Sequence, residues 1–492
     1  MIVRTALPRM LFLGVLSGLA VLGWACSQSS VTDAKEIKAF PGALGHAASA
    51  IGGRGGAVIE VTNLNDGGAG SLRDCIGAVG PRTCVFRVAG YIDLLRPLEI
   101  RNPYIRIAGQ TAPEGGITLR AGPGLTATGF LVRTHDVVLQ FMRVRPGKGD
   151  FDGIRQSGDA LGLRDGAHKV ILDHLSLSWG NDEVLSSWTR RGPVGDVTIS
   201  NNLVAEGLNY AKHGVGILIG SDYDDACNDS GTVDLVRNLV MSHTNRFPYA
   251  KIAKLRIINN IFYNWSKEAT RLDGGVHVDI VGNYYRRGPS TTKRRKEVIW
   301  SKHALVMDPE DWNCMWGPRR EPKFHIAGNR GPNQDMPDQS NWRMMERVDN
   351  GSAPSAGDVG RQYESPEPIL PSPFPIAIHP VDQLEDRLLD GIGASKRLDS
   401  LGKWVPSRDA VDDRLLREYR ENTGSILRTE CDVGCFPKLA AGTPYADGDK
   451  DGMADRWEQL HGLDINDADD RNDDPDGDGY TNLEEFLNGT LP

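Results

Sequence analysis

Acidic residues recur at every second position near the C-terminus of this 492-residue chain. Asp447, Asp449, Asp451, Gly452, Asp455 and Glu458 occupy positions 1, 3, 5, 6, 9 and 12 of a twelve-residue loop. Asp474, Asp476, Asp478, Gly479, Asn482 and Glu485 fill the same positions of a second loop, 27 residues later. Alternate oxygens can wrap a hard cation, the glycine permits a sharp turn, and the final glutamate closes the cage, which is the pattern of an EF-hand calcium loop. Trp457, Leu460, Leu463, Leu483 and Phe486 offer a small core. Residues 441–492 are therefore expected to form a small α-helical, EF-hand-like module that folds only with calcium bound.

The same segment carries the chain's negative charge. It holds 15 acidic and 3 basic side chains, a balance of −12, whereas the other 440 residues hold 50 acidic and 53 basic, a balance of +3. The body does not repel a polyanionic substrate, and nothing in its charge points to nucleic acid. The 57 glycines and 28 prolines favour a loop-rich β architecture over a helical one. Four segments then repeat an apolar–x–apolar–x–x–Asn pattern: VTISNN, VDLVRN, LRIINN and VDIVGN, ending at Asn202, Asn238, Asn260 and Asn283. The last two intervals are 22 and 23 residues, and the first is 36, as if one turn carried an insertion. Period-two alternation makes each a short strand with one buried face. A strand recurring about every 22 residues predicts a solenoid stabilised by coil-on-coil stacking, with Asn side chains bonding from turn to turn. A β-sandwich is the competing architecture. Past Trp300 the rhythm is lost. The Pro/Ser-rich stretch Ser365–Pro380 reads as extended and docked, and RDAVDDRLLREYRENTG from Arg408 as a helix with Leu415, Leu416 and Tyr419 on one face.

Ordered motifs between about Phe40 and Val298 make the chain resemble the pectate lyase family of polysaccharide lyases. They are NLNDGGAGSLRDCI, GPRTCVFRVAG, YIRIAGQTAPEGGI, GDALGL, VILDHLSLSWGNDEVLS, VTISNNLVAEGL, RFPYAK and RIINNIFYNW. The Asp-His-containing segment is most similar to that of bacterial members. The resemblance implies an all-β, right-handed parallel β-helix that cleaves polygalacturonate by calcium-assisted β-elimination. Asp159 of GDALGL, and Asp182 and Glu183 of SWGNDEVLSS, match calcium-ligand positions. Relatives of the longer type place two acids four residues apart in the second region, where this chain has Ser186 and Ser187 after Asp182 and Glu183. Asp173 and His174 match a recurrent Asp-His pair expected to shape the site. Arg246 of Arg246-Phe247-Pro248-Tyr249-Ala250-Lys251 matches the family's base, and Lys251 a carboxylate binder. Lys212 and His213 fall where relatives place substrate-binding residues. The tail resembles dockerin-like and thrombospondin type 3-like calcium repeats, with attachment or partner docking as its expected role. Its removal is expected to leave turnover nearly unchanged.

Two other functions compete. HGVGILIGS is similar to a segment of polygalacturonase hydrolases, but these need clustered aspartates, and the only Asp-Asp pair near a coil, Asp224-Asp225, follows that segment. A β-helix that binds carbohydrate without cleaving it is the third reading. Arg4 and Arg9 precede an apolar run from Met10 to Leu22, too short to span a bilayer, so residues 1–26 read as an export signal with Cys26 a candidate for lipidation and membrane tethering. A linker at 27–39, a catalytic β-helix at 40–300, a wrap at 301–440 and the module at 441–492 complete the expected organisation. The product is expected to be a monomer, secreted or held at the cell surface (periplasm or outer membrane). Cys75, Cys84, Cys227, Cys314, Cys431 and Cys435 favour disulfides in an exported chain, with Cys75–Cys84 and Cys431–Cys435 the short-loop pairings and zinc the alternative at the second.

Overall fold

Buried asparagines stack from coil to coil and mark one edge of the molecule. In the computed structural model, which describes residues 37–150, 158–187, 194–220, 231–292, 305–308, 321–332, 340–347, 355–356 and 363–492, strands wind into three sheets whose neighbours are parallel, save Ser355–Ala356, which runs antiparallel to Met345–Arg347. The first sheet has ten strands, from Ala57–Val61 to Lys323–Ala327, taken in chain order. The second runs from Leu98–Ile100 to Met345–Arg347, and the third from Gly90–Leu94 to Tyr284–Arg286. One coil reads Lys254–Ile258, Ile261–Tyr263, Thr270–Asp273, and the next begins at His277. This is a parallel β-helix, its interior filled by inward side chains such as Ile257, Phe262 and Leu272, all fully buried.

The Asn ladder lies at the bend between first and third sheets. Asn202 N donates to Asn238 Oδ1 (2.9 Å), Asn238 N to Asn260 Oδ1 (2.9 Å), and Asn260 N to Asn283 Oδ1 (2.8 Å). Each side-chain amide also donates to a carbonyl of the preceding coil, as Asn260 Nδ2 does to Leu235 O at 2.8 Å. Asn329 and Asn341 continue the ladder at 2.8 and 2.7 Å. Backbone groups that a bend leaves unpaired are thereby satisfied without water. Replacing Asn260 by alanine strands the amide of Asn238 and the carbonyl of Leu235. The expected cost is about 2–4 kcal/mol, read as a lowered urea midpoint with an unchanged slope.

Coils continue beyond Trp300. Leu305–Asp308 pairs with Thr270–Asp273, and Lys323–Ala327 with His277–Val281. Residue 300 thus marks where long inter-strand segments hide the period, not where the sheets stop. Behind the last coils the chain wraps the solenoid. Asp279 carboxylate oxygens accept from Ile369 N (2.8 Å) and Leu370 N (3.0 Å), and Asn259 Oδ1 accepts from His379 N (2.8 Å), so the Pro-rich stretch is extended and docked. The helix Ala410–Glu421 is capped by Asp409 and lays Leu415, Leu416 and Tyr419 on Leu239, Met241, Ile261 and Tyr263 of the third sheet.

Disulfides join Cys75 to Cys84 and Cys431 to Cys435, which leaves no zinc site at the second pair. Cys26, Cys227, Cys314 and the export signal lie outside the described residues. Among those residues no helix is long and apolar enough to cross a membrane.

The tail does not stand apart. Tyr445, Met453, Leu483, Phe486 and Leu487 are buried in one cluster with Ala108 and Leu398 of the body, and Trp457 and Leu463 pack against it. Leu460, expected in that core, is 57% exposed. Arg54 pairs with Glu484 at 2.8 Å, and Gln110 Nε2 donates to Leu487 O at 3.0 Å. The small core expected within the tail is thus shared with the body of the protein.

Candidate active site

Stacking brings distant acids and an arginine onto successive strands of the second sheet. Leu161 pairs with Leu185, Glu183 with Val215, and Leu218 with Tyr249. Asp159 lies just ahead of Leu161–Leu163, Asp182 and Glu183 open Glu183–Ser187, His213 precedes Val215–Gly220, and Arg246 precedes Tyr249–Lys251. Continuing the register therefore sets Asp159, Glu183 and Arg246 along one line across the sheet.

Arg246 forms an ion pair with Glu183, and its guanidinium lies 5.6 Å from the Tyr249 ring centroid. Burial pushes the Arg246 pKa down, against the pull of Asp182, Tyr249 and Glu268. Asp159 is buried; it accepts from Arg164 at 2.6 Å and from the Ser186 hydroxyl, and Glu183 N reaches its other oxygen at 3.3 Å. Burial pushes its carboxyl up, against Arg164 and Ser186. His213 Nε2 sits 2.8 Å from Asp182 Oδ1, a bond that raises the imidazole's pKa. Asp182, Glu183 and His213 offer ligand atoms within 4.8 Å of one another.

Arg164 and Ser186 are partners the sequence reading missed. Ser186 donates its hydroxyl to Asp159. Lys267, two coils on from His213, is close enough to oppose protonation of its imidazole; no motif marked it. His213 joins the acids instead of standing apart as a substrate contact. Lys251 ends its strand in register with Gly220, at the opposite end from Arg246, and Lys212 sits in the loop before Val215. Asp173 and His174 correct an expectation. They close a strand of the first sheet, and Asp173 bonds Gln140, His174, Ser200 and Asn201, none of them in this cluster. Neighbours in sequence part company here because each coil turns through three sheets.

The tail loops gather acids as their spacing predicts, with one exchange. Asp447, Asp449 and Asp451 converge, and Asp451 meets Glu458 and Asp470. Asp447 Oδ1, Asp449 Oδ2, Asp451 Oδ2, both Glu458 oxygens and Asp470 Oδ1 are buried without hydrogen-bond partners. Asp455 instead accepts from Gly448 N at 2.7 Å. Asp470, from outside the twelve-residue loop, takes a place no motif assigned. Gly452 sits at φ +94°, where a side chain would be strained. Burial first, then neighbouring carboxylates, push Asp451 up to about 7 and Glu458 up to about 8. In the second loop Asp474, Asp476 and Asp478 converge while exposed, and Asn482 and Glu485 are buried, each with one oxygen unpartnered. So many bare buried oxygens suit a hard cation.

No protein-family model matches the chain. Full-length relatives do. "Probable pectate lyase C" of Aspergillus flavus is 32% identical over 465 residues, covering 93% of this chain and 94% of the relative. Its counterpart in Neosartorya fischeri is 32% identical over 485 residues, 97% and 99% of the two chains. These relatives are fungal, where the motifs looked bacterial. Among solved structures, Jun a 1, the major allergen from cedar pollen, is similar with a TM-score of 0.50 and 18% identity, over 71% of this chain and 92% of that one. This likeness speaks for the fold alone. The chain belongs to the pectate lyase family, a family of polysaccharide lyases.

Proposed function

We propose that the protein cleaves (1→4)-α-D-galacturonan by calcium-assisted β-elimination outside the cell, with Arg246 as the base. The observation that carries this reading is the half-buried Arg246 held against the buried Glu183 on the same sheet face as Asp159. Asp182 and Glu183, whose oxygens converge beside His213, together with Asp159 in line on the neighbouring strand, are the residues to hold calcium, since carboxylate oxygens fit its preference. Calcium bound there supplies neutralisation of the uronate carboxylate, which makes C5–H more acidic. Arg246 in its neutral form takes the C5 proton. The electron pair left behind becomes the C4=C5 double bond as the C4–O bond breaks, and the leaving oxygen takes a proton from water. A 4,5-unsaturated galacturonosyl end results. Lys212 and Lys251 bind neighbouring uronate carboxylates, and His213 holds Asp182 in place. The tail loops bind calcium structurally, Asp470 replacing Asp455 among the ligands of the first.

A hydrolase leaves no double bond, and a pure binder no product, so ultraviolet absorbance of the unsaturated uronate on polygalacturonate separates all three. Asp159→Ala or Glu183→Ala is expected to raise the calcium needed for half-maximal rate by about tenfold or more, as loss of a charged ligand should. Undiminished activity of the native protein in excess chelator would sink the calcium step.

A further inference from the structure

A cavity of about 340 Å³ opens away from the Arg246 cluster, where the bend of the first sheet, the hairpin Lys396–Leu398/Trp404–Pro406 and the tail meet. From Phe141 onward, successive coils place a left-handed residue at that bend. Asn201 and Asn259 supply it on two coils, but here the positions are taken by Phe141 and His174, at φ 53° and 52°. Their rings stack with centroids 4.7 Å apart and planes 13° from parallel, and Trp404 meets Phe141 edge-on at 5.3 Å. The cavity thus has an aromatic wall.

Its polar groups are fixed from behind. Asp173 is buried and accepts from Ser200 Oγ (2.8 Å), Asn201 Nδ2 (2.9 Å) and Gln140 Nε2 (3.2 Å). Its second oxygen lies 2.8 Å from His174 Nδ1. A carboxylate so supplied with donors orients the imidazole, so that Nδ1 carries the proton and Nε2 is the nitrogen left for a ligand. Exposed Lys396 adds a cation at the rim, and Asn488 of the tail closes the far side. Aromatic walls, a few convergent polar groups and this volume are what a small-molecule pocket has.

We propose that this cavity is a second saccharide site that takes one or two galacturonate units, remote from the cleavage groove. A sugar ring lies with its C–H face on the aromatic wall, its carboxylate meets Lys396, and a hydroxyl donates to His174 Nε2. The choice of a uronate over another anionic sugar rests on the lyase reading above. The site gives the enzyme a hold on pectate that does not pass through the reacting centre, and the tail, by contributing Asn488, is part of it.

The test uses galacturonate monomer, which has no glycosidic bond to cleave, titrated calorimetrically into the full-length, calcium-loaded protein. Lys396→Ala is expected to weaken this binding about tenfold, as loss of one charge-assisted hydrogen bond should, while kcat/KM on trigalacturonate stays unchanged. Arg246→Ala is expected to bind the monomer as the native protein does. His174→Gln serves as a second probe, and Lys396 is exposed, so its variant folds. Monomer binding untouched by Lys396→Ala, or lost with Arg246→Ala, overturns the proposal. Equal affinity for neutral galactose overturns its ionic half. Monomer bound at Lys396 by a protein that never yields unsaturated product would instead overturn the lyase reading and leave this site standing.

Discussion

Arg246→Lys is expected to lower lyase turnover by about a thousandfold or more, within the range general-base removal usually costs, while the melting temperature stays near that of the native protein. Charge is conserved, so the Glu183 pair can persist and the sheet has no reason to rearrange. What is lost is geometry. A planar guanidinium can keep one N–H edge on Glu183 and present another nitrogen to C5–H, whereas an ammonium is a single point of contact on a different stem. Burial already lowers the guanidinium pKa, and any cation on the neighbouring acids lowers it further. The neutral form is still the minor one near pH 7, so kcat/KM should rise with pH into the alkaline range. More than a few per cent residual rate in the variant, or a native profile flat above neutrality, would show that another group takes the proton.

How far these residues could be found beforehand depended on what kind of neighbour they needed. Asn202, Asn238, Asn260 and Asn283 were legible because ladder partners sit one coil apart at a near-constant interval. Asn329 and Asn341 were not, since 46 residues separate Asn283 from Asn329. Asp159, Asp182, Glu183 and Arg246 were found through motifs, and stacking does bring them to one sheet. Arg164 and Ser186 escaped because their partner, Asp159, is defined by which side chains share a coil-to-coil gap. Asp173 and His174 misled for the converse reason: only a few residues separate them from Asp182 in sequence, yet they belong to a different sheet. Asp470 lies outside the loop spacing that identified the other tail acids, and the buried seat of the tail on Ala108 and Leu398 leaves no periodic mark.

That seat reverses the expectation for truncation. Deleting residues 441–492 uncovers Ala108, Leu398 and Trp404 and removes the tail partners of Arg54, Arg106 and Gln110. Exposed apolar surface and stranded buried donors together cost roughly 3–6 kcal/mol, a fall of about 3–7 °C in Tm for a body of this size. The Arg246 cluster contains no tail residue, so turnover on short soluble substrate at low temperature should survive. Chelation is expected to weaken the same seat, with a pH dependence of known sign. Without cation, Asp451 and Glu458 titrate near about 7 and about 8, above the ordinary 3.8 and 4.5. The folded protein then binds more protons than the unfolded chain, so its stability falls as pH climbs from the ordinary carboxylate range through about 8. The chelated protein should therefore melt higher at pH 5 than at pH 8, and added calcium should abolish the difference at the alkaline end by replacing the missing protons with a divalent charge. A truncated protein that melts within about 1 °C of the native one, a change of about 1 kcal/mol or less, would return the tail to an independent module. A chelated protein more stable at pH 8 than at pH 5 would mean that its buried acids are not held together against their own charge.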